Sequence, residues 1–190
     1  VTINSEFFTY TISSNHSESK KLMKQILNTK IRPKSSIIIM IEEKLESIGV
    51  KLPNPPTPAG SYVPAVKTGN LLFISGQIPM EDGKVLFTGK VTDDNLETAQ
   101  KSARMCAINL LAQMKRELGN LDRVTRIVRL SGFVNSDAEF YQHPKVINAA
   151  SDLFFEIFGE KGKHSRIAMG VACLPLNSMT EIDAIIEFSE

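Results

Sequence analysis

Between residues 94 and 118 the apolar positions Leu96, Ala99, Ala103, Cys106, Ala107, Leu110, Met114 and Leu118 return every three or four residues. That period puts them on one face of a helix. Asp94 or Asn95 opens the stretch and Gly119-Asn120 closes it, an acidic start and a glycine stop that suit the helix dipole and its exit. A second helix is predicted to open at Pro144, because proline is favoured in the first helical turn. Val146, Ala150, Leu153, Phe154 and Ile157 form its apolar stripe and Gly159 its stop. A shorter pattern, Ile41, Leu45 and Ile48 among Glu42, Glu43, Lys44 and Glu46, predicts an amphipathic helix after Met40 that ends at Gly49. It runs into an extended connector, Lys51 to Gly60, where Pro53, Pro55, Pro56 and Pro58 remove backbone donors.

The strands read by a different period. Tyr62 to Val66 and Leu71 to Ile74 flank the turn Lys67-Thr68-Gly69-Asn70 and predict a hairpin, with Ser75-Gly76-Gln77 ending its second strand. Glu81-Asp82-Gly83-Lys84 begins another short turn. Val124 to Val134, Ile167 to Leu174 and Met179 to Phe188 are rich in β-branched and apolar residues and predict three more strands, the last two joined through Pro175-Leu176-Asn177-Ser178. The order strand, strand, helix, strand, helix, strand, strand is satisfied by an α+β sandwich of two layers, a mixed or antiparallel sheet with two helices packed on one face.

Composition adds a boundary. The 190 residues suffice for one ordinary domain and an appendage, and 42% hydrophobic with 23% charged residues is a globular mixture. Residues 1–39 hold six basic and two acidic residues and are rich in serine, which leaves 16 basic and 19 acidic in residues 40–190. The stretch Lys20 to Leu27 also places Leu22, Met23, Ile26 and Leu27 on one helical face. A basic, serine-rich, amphipathic segment matches an organellar transit peptide. A disordered tail, or an extension outside the mature chain, accounts for it equally well, since Val1 is not an initiator and Met40 is well placed to be one. The expected division is thus an extension, 1–39, and a folded domain, 40–190.

Charge and cysteine content narrow the function. A net charge of +1 argues against a protein built to neutralise phosphate backbones. The longest apolar run, Ile37 to Ile41, is far shorter than a membrane span. Two cysteines, Cys106 and Cys173, both in apolar sequence, suggest neither a disulfide framework nor a paired-cysteine metal site. An intracellular setting is expected: the cytoplasm, or an organelle matrix if residues 1–39 are a transit peptide.

No phosphate loop, dinucleotide fingerprint, nucleophile elbow or zinc helix is present. His16, His143 and His164 fall in a tail and in loops without helical spacing, so each is expected to be solvated rather than a metal ligand. Polar residues at strand ends remain. Arg166 enters the apolar run Ile167 to Ala172 and could pair with a carboxylate through two parallel hydrogen bonds, or simply face water. Glu181 and Asp183 alternate with Ile182 and Ala184, which puts both on one face of the last strand, ordinarily the wet one. Ser75-Gly76-Gln77 offers a hydroxyl and close backbone approach, or only a turn.

The segments Gly60-Ser61-Tyr62-Val63-Pro64-Ala65, Leu72 to Pro79, His164 to Pro175 and Glu181 to Ile185, in that order, resemble the reactive-intermediate deaminase family, also called YjgF-like or L-PSP endoribonuclease-like. The short helix and connector ahead of them resemble the family's longer branch. The resemblance implies a chorismate-mutase-like fold, a homotrimer with pockets between subunits, and cofactor-free hydrolysis of 2-imino or enamine acids such as 2-aminoacrylate to 2-keto acids and ammonia. It implies Arg166 as the carboxylate-binding arginine and Glu181 as the residue that positions water. Tyr62, Ser75, Gly76 and Asn148 would line the pocket, with backbone groups near Ala168 beside the reacting centre. Ala168 stands where many members carry cysteine, and His164-Ser165 replaces the usual Pro-Ala, so a reactive thiol is not expected. A trimer that binds a small carboxylate or a partner without turnover is the alternative. Cleavage of single-stranded RNA is a third reading, opposed by the acidic balance after residue 40, the absence of tryptophan and only three tyrosines.

Overall fold

The computed structural model describes residues 2–5, 8–11, 40–55 and 60–190, which fall in two units, Val1–Ile38 and Ile39–Glu190. In the first, β1 (Thr2–Ser5) and β2 (Phe8–Thr11) pair antiparallel. The amphipathic stretch predicted from Lys20 to Leu27 lies outside the described residues. Among those described, no helix is long and apolar enough to cross a membrane.

The second unit opens with α1 (Ile41–Ser47). The elements that follow are β3 (Ala65–Thr68), β4 (Leu71–Gln77), the two-residue strands β5 (Met80–Glu81) and β6 (Lys84–Val85), and α2 (Leu96–Leu118). The chain closes with β7 (Val124–Asn135), α3 (His143–Phe158), β8 (Ser165–Val171) and β9 (Thr180–Phe188). Five strands form one sheet in the order β3-β4-β9-β7-β8. Only β7 and β8 run parallel, as they must when α3 carries the chain back across the sheet between them. The sheet is therefore mixed and the fold α+β.

Alternation along β9 decides how the two layers meet. Thr180, Ile182, Ala184, Ile186 and Phe188 are buried while Glu181, Asp183, Ile185 and Glu187 are only half-buried, so the first set faces the helices and the second the opposite side. Leu72 and Ile74 of β4, with Ile127, Leu130 and Val134 of β7, continue the buried side. Against it lie Ala99, Ala103, Ala107 and Leu110 of α2 and Ile147, Ala150 and Phe154 of α3. Small residues on α2 and Gly132 on β7 let helix and sheet come close: a Cβ on Gly132 would lie 2.7 Å from Ile147 Cδ1.

Besides one-residue shifts at element ends, the boundaries differ from the sequence pattern in three places. The first hairpin strand is Ala65–Thr68 rather than Tyr62–Val66, because Pro64 brings no N–H to the ladder and the turn closes on Gly69-Asn70, with Thr68 opposite Leu71. β4 does not end before Ser75 but continues to Gln77 across a register shift against β9. β8 begins one residue before Arg166 and stops at Val171, which leaves Cys173 exposed rather than in apolar surroundings.

Candidate functional site

Arg166 sits on β8, the edge strand, beside Leu130 of β7. Leu130 faces the helices, so Arg166 does too, and its guanidinium reaches α3. Nη1 donates to Asn148 Oδ1 and to Ser151 Oγ, each at 2.9 Å. Both acceptors sit on one face of α3 because they are three residues apart. Among the described residues Nε and Nη2 make no hydrogen bond, so one side of the planar fork remains open on an exposed residue. Ala168, two residues on, lies on the same side of β8 opposite Gly132 and packs against the core. A cavity of about 340 Å³ opens at this place, with Arg166, Ser151, His164 and Phe155 in its wall.

Glu181 belongs to the other face. It pairs with Phe133, which in turn pairs with Met169, and Asp183 follows on the same side. Glu181 lies over Gly76 so closely that a Cβ there would collide with its carboxylate. Burial, reinforced by the like charge of Asp183, pushes the Glu181 carboxyl above the ordinary carboxylate range. The Gly76 segment is held from beneath by buried Gln77, whose Nε2 donates to the Ser75 and Gly76 carbonyls at 2.9 and 3.2 Å. Gln113 of α2 donates to Gln77 Oε1 at 3.2 Å and fixes that amide. Ser75 donates its hydroxyl to the Val63 carbonyl at 2.9 Å, and its N–H goes to Pro64. Ser75 thereby ties the segment bearing Tyr62, itself 55% exposed, to β4.

The candidate residues thus form two groups in one chain. Asn148, Arg166 and Ala168 meet on the helix side of the edge strand, whereas Ser75, Gly76 and Glu181 meet on the opposite sheet face, with Tyr62 tethered beside them. Arg166 and Glu181 are separated by β7 and by the sheet itself.

No motif in the sequence marks Ser151, and the loop positions of His164 and His143 predict solvated side chains. Both histidines are instead engaged. His164 Nε2 lies 3.0 Å from Ser151 Oγ, its Nδ1 lies 2.6 Å from the Gly162 carbonyl, and its ring meets Phe154 edge-on. Burial, with the Arg166 charge nearby, holds its pKa below the usual imidazole value despite the Gly162 bond. His143 is the first residue of α3 and lies 2.9 Å from Ser136 Oγ. The spacing of Asn148 and Ser151 at i and i+3 on a helix was the available signal for Ser151. His16 lies outside the described residues. Among the described residues no group of three or more His, Cys, Asp or Glu could hold a metal. Cys106 is wholly buried, which pushes its thiol up to about 12, and this removes it as a nucleophile.

Residues 42–188 match the family described as "YjgF/chorismate mutase-like, putative endoribonuclease". The protein TCP17 of Trypanosoma cruzi is 42% identical over 151 residues, covering 78% of this chain and 94% of that protein. The crystal structure of Atu1372 of Agrobacterium tumefaciens, a protein of unknown function, is similar with a TM-score of 0.73 and 46% identity, over 80% of this chain and 94% of that one. TdcF of E. coli, whose structure holds bound serine, is similar with a TM-score of 0.51 and 26% identity, over 73% of this chain and 99% of that one. With its mixed sheet, two covering helices and this family match, the chain belongs to the YjgF/RutC family.

Proposed function

We propose that this chain hydrolyses 2-imino and enamine acids to 2-keto acids and ammonia, without a cofactor, as a homotrimer whose sites form between subunits. The observation that carries the reading is the open side of Arg166. With Nη1 spent on Asn148 and Ser151, Nε and Nη2 can grip a carboxylate through two parallel charge-assisted bonds. The serine bound in the E. coli TdcF structure is an α-amino acid, and its carboxylate is the group such a fork would take.

An imine needs little help beyond position. Water adds to the C=N carbon, a proton passes to nitrogen, and the carbinolamine expels ammonia as the C=O bond forms. Arg166 holds the carboxylate and the substrate is fixed relative to water, which replaces a bimolecular encounter by a positioned one. Glu181, with its carboxyl raised towards the working pH by burial and Asp183, suits proton transfer between water and nitrogen. No thiol stands at the reacting position, since Ala168 carries none and the Cys106 thiol is too buried to ionise.

Arg166 and Glu181 cannot both reach one small substrate from opposite faces of a single sheet, so the reading requires a second copy. An exposed apolar row supports such an assembly: Val66, Phe73 and Ile185 are cross-strand neighbours on the Glu181 face, with Val66 52% and Phe73 40% exposed. Ammonia release from 2-aminoacrylate, generated in situ by a dehydratase, tests the chemistry. The wild type is expected to accelerate release and Arg166→Ala to lose at least about tenfold of that rate, the loss of charge-assisted bonds. Equal rates for the two proteins contradict the reading. Ala168 in place of a family cysteine favours one rival, a trimer that binds a carboxylate without turnover, which keto-acid binding with no acceleration by the wild type would reveal. RNA cleavage, named in the family description, would require salt-sensitive RNA binding.

A further inference from the structure

The Arg166 fork does not stand alone: with His164 neutral, a chain of hydrogen bonds behind it has only one consistent direction. The Gly162 carbonyl can only accept, so His164 Nδ1, 2.6 Å away, carries the proton. Neutral His164 then presents a lone pair at Nε2, and the Ser151 hydroxyl, 3.0 Å away, donates to it. The Ser151 oxygen is thereby left as a pure acceptor and takes Arg166 Nη1 at 2.9 Å, while Asn148 Oδ1 takes the other Nη1 hydrogen. Both hydrogens of Nη1 are consumed on α3, which fixes the rotation of the guanidinium plane and turns the Nε and Nη2 side outward. The His164 ring is set in turn by its edge contact with Phe154, centroid to centroid 6.3 Å.

We propose that Ser151 and His164 are positioning residues that hold Arg166 in the orientation needed to bind a carboxylate, with neutral His164 drawing the Ser151 hydroxyl hydrogen away from the guanidinium. This deepens the reading of Arg166 as a carboxylate clamp and rests on it. Protonating His164 reverses the relay: Nε2–H now donates to the Ser151 oxygen, and a second cation stands beside Arg166. The charged groups around the ring are Arg166 on β8, Asp152 on α3 and Lys163 in the turn, all bordering the same cavity. Burial and the nearby Arg166 charge hold the imidazole below its ordinary value, so His164 takes up its proton on the acid side of the usual imidazole range.

The test is calorimetric binding of pyruvate, an unreactive 2-keto acid that stays ionised throughout that range, to the full-length wild type and variants. Ser151→Ala is expected to weaken binding about tenfold at about pH 8, one hydrogen bond to a charged group, while Ser151→Thr keeps the hydroxyl and stays within about twofold of wild type. Wild-type affinity is expected to change as pH drops through the His164 titration, because the hydroxyl relay reverses, and His164→Gln, which can accept from Ser151 but cannot titrate, to lose that change. Wild-type binding by Ser151→Ala, or an unchanged acid limb in His164→Gln, overturns the inference. Arg166→Ala separates this from the broader reading. If it loses binding while Ser151→Ala does not, only the positioning role falls; if it binds as wild type does, both fall.

Discussion

Glu181 carries opposite consequences for catalysis and for stability. Its carboxyl is raised above the ordinary value of 4.5 because it is half-buried over Gly76 and faces Asp183. The folded chain therefore binds that proton more tightly than the unfolded chain, and native stability falls as pH rises through the carboxylate range to the folded value. Above that value the penalty is constant. Glu181→Gln removes the penalty, so thermal melting is expected to show the variant more stable than wild type near neutrality, with the advantage gone below the ordinary carboxylate pKa. The same variant is expected to lose about 10²–10⁴-fold in imine hydrolysis, the usual contribution of an acid–base group. A variant melting below wild type at neutral pH would mean that Glu181 is stabilised by a partner instead of penalised by burial.

At the level of elements, the two long helices and the succession of main strands along the chain were legible because helical and strand periods persist over many residues, as from Leu96 to Leu118 and from Thr180 to Phe188. The helix-side site was half legible. Arg166 and Asn148 carried a resemblance, but Ser151 and His164 become neighbours only when α3 crosses back to β8, a tertiary fact without local signature. The continuation of β4 through Ser75-Gly76 was hidden for a related reason. A glycine in an apolar strand reads as a stop, whereas here it makes room for a carboxylate from β9. Gly132 has the same logic against α3. Gly132→Ala is expected to destabilise the fold by about 1–3 kcal/mol in urea unfolding, the cost of inserting a methyl group into a packed contact with Ile147. A change near zero would show that α3 can shift away freely.

On the scale of the whole molecule, the sheet divides the chemistry. One face gives Arg166 with its open fork, the other gives Glu181 over Gly76, and the apolar row of Val66, Phe73 and Ile185 lies on the Glu181 side. In the proposed assembly, a head-to-tail ring of identical chains would appose one chain's first group to the next chain's second, and heterologous contacts close into rings when the rotation permits. A cut through such a ring leaves every monomer with two half-sites.

Subunit complementation tests that central claim most directly. Arg166→Ala and Glu181→Gln, each expected to be impaired alone, are co-expressed in equal amounts and assayed for ammonia release from 2-aminoacrylate. Random assembly gives a site with both residues intact wherever an Arg166-bearing chain precedes a Glu181-bearing one, so about a quarter of wild-type activity is expected. Activity no higher than that of either variant alone, from a mixed assembly shown to contain both chains, would contradict a site shared between copies.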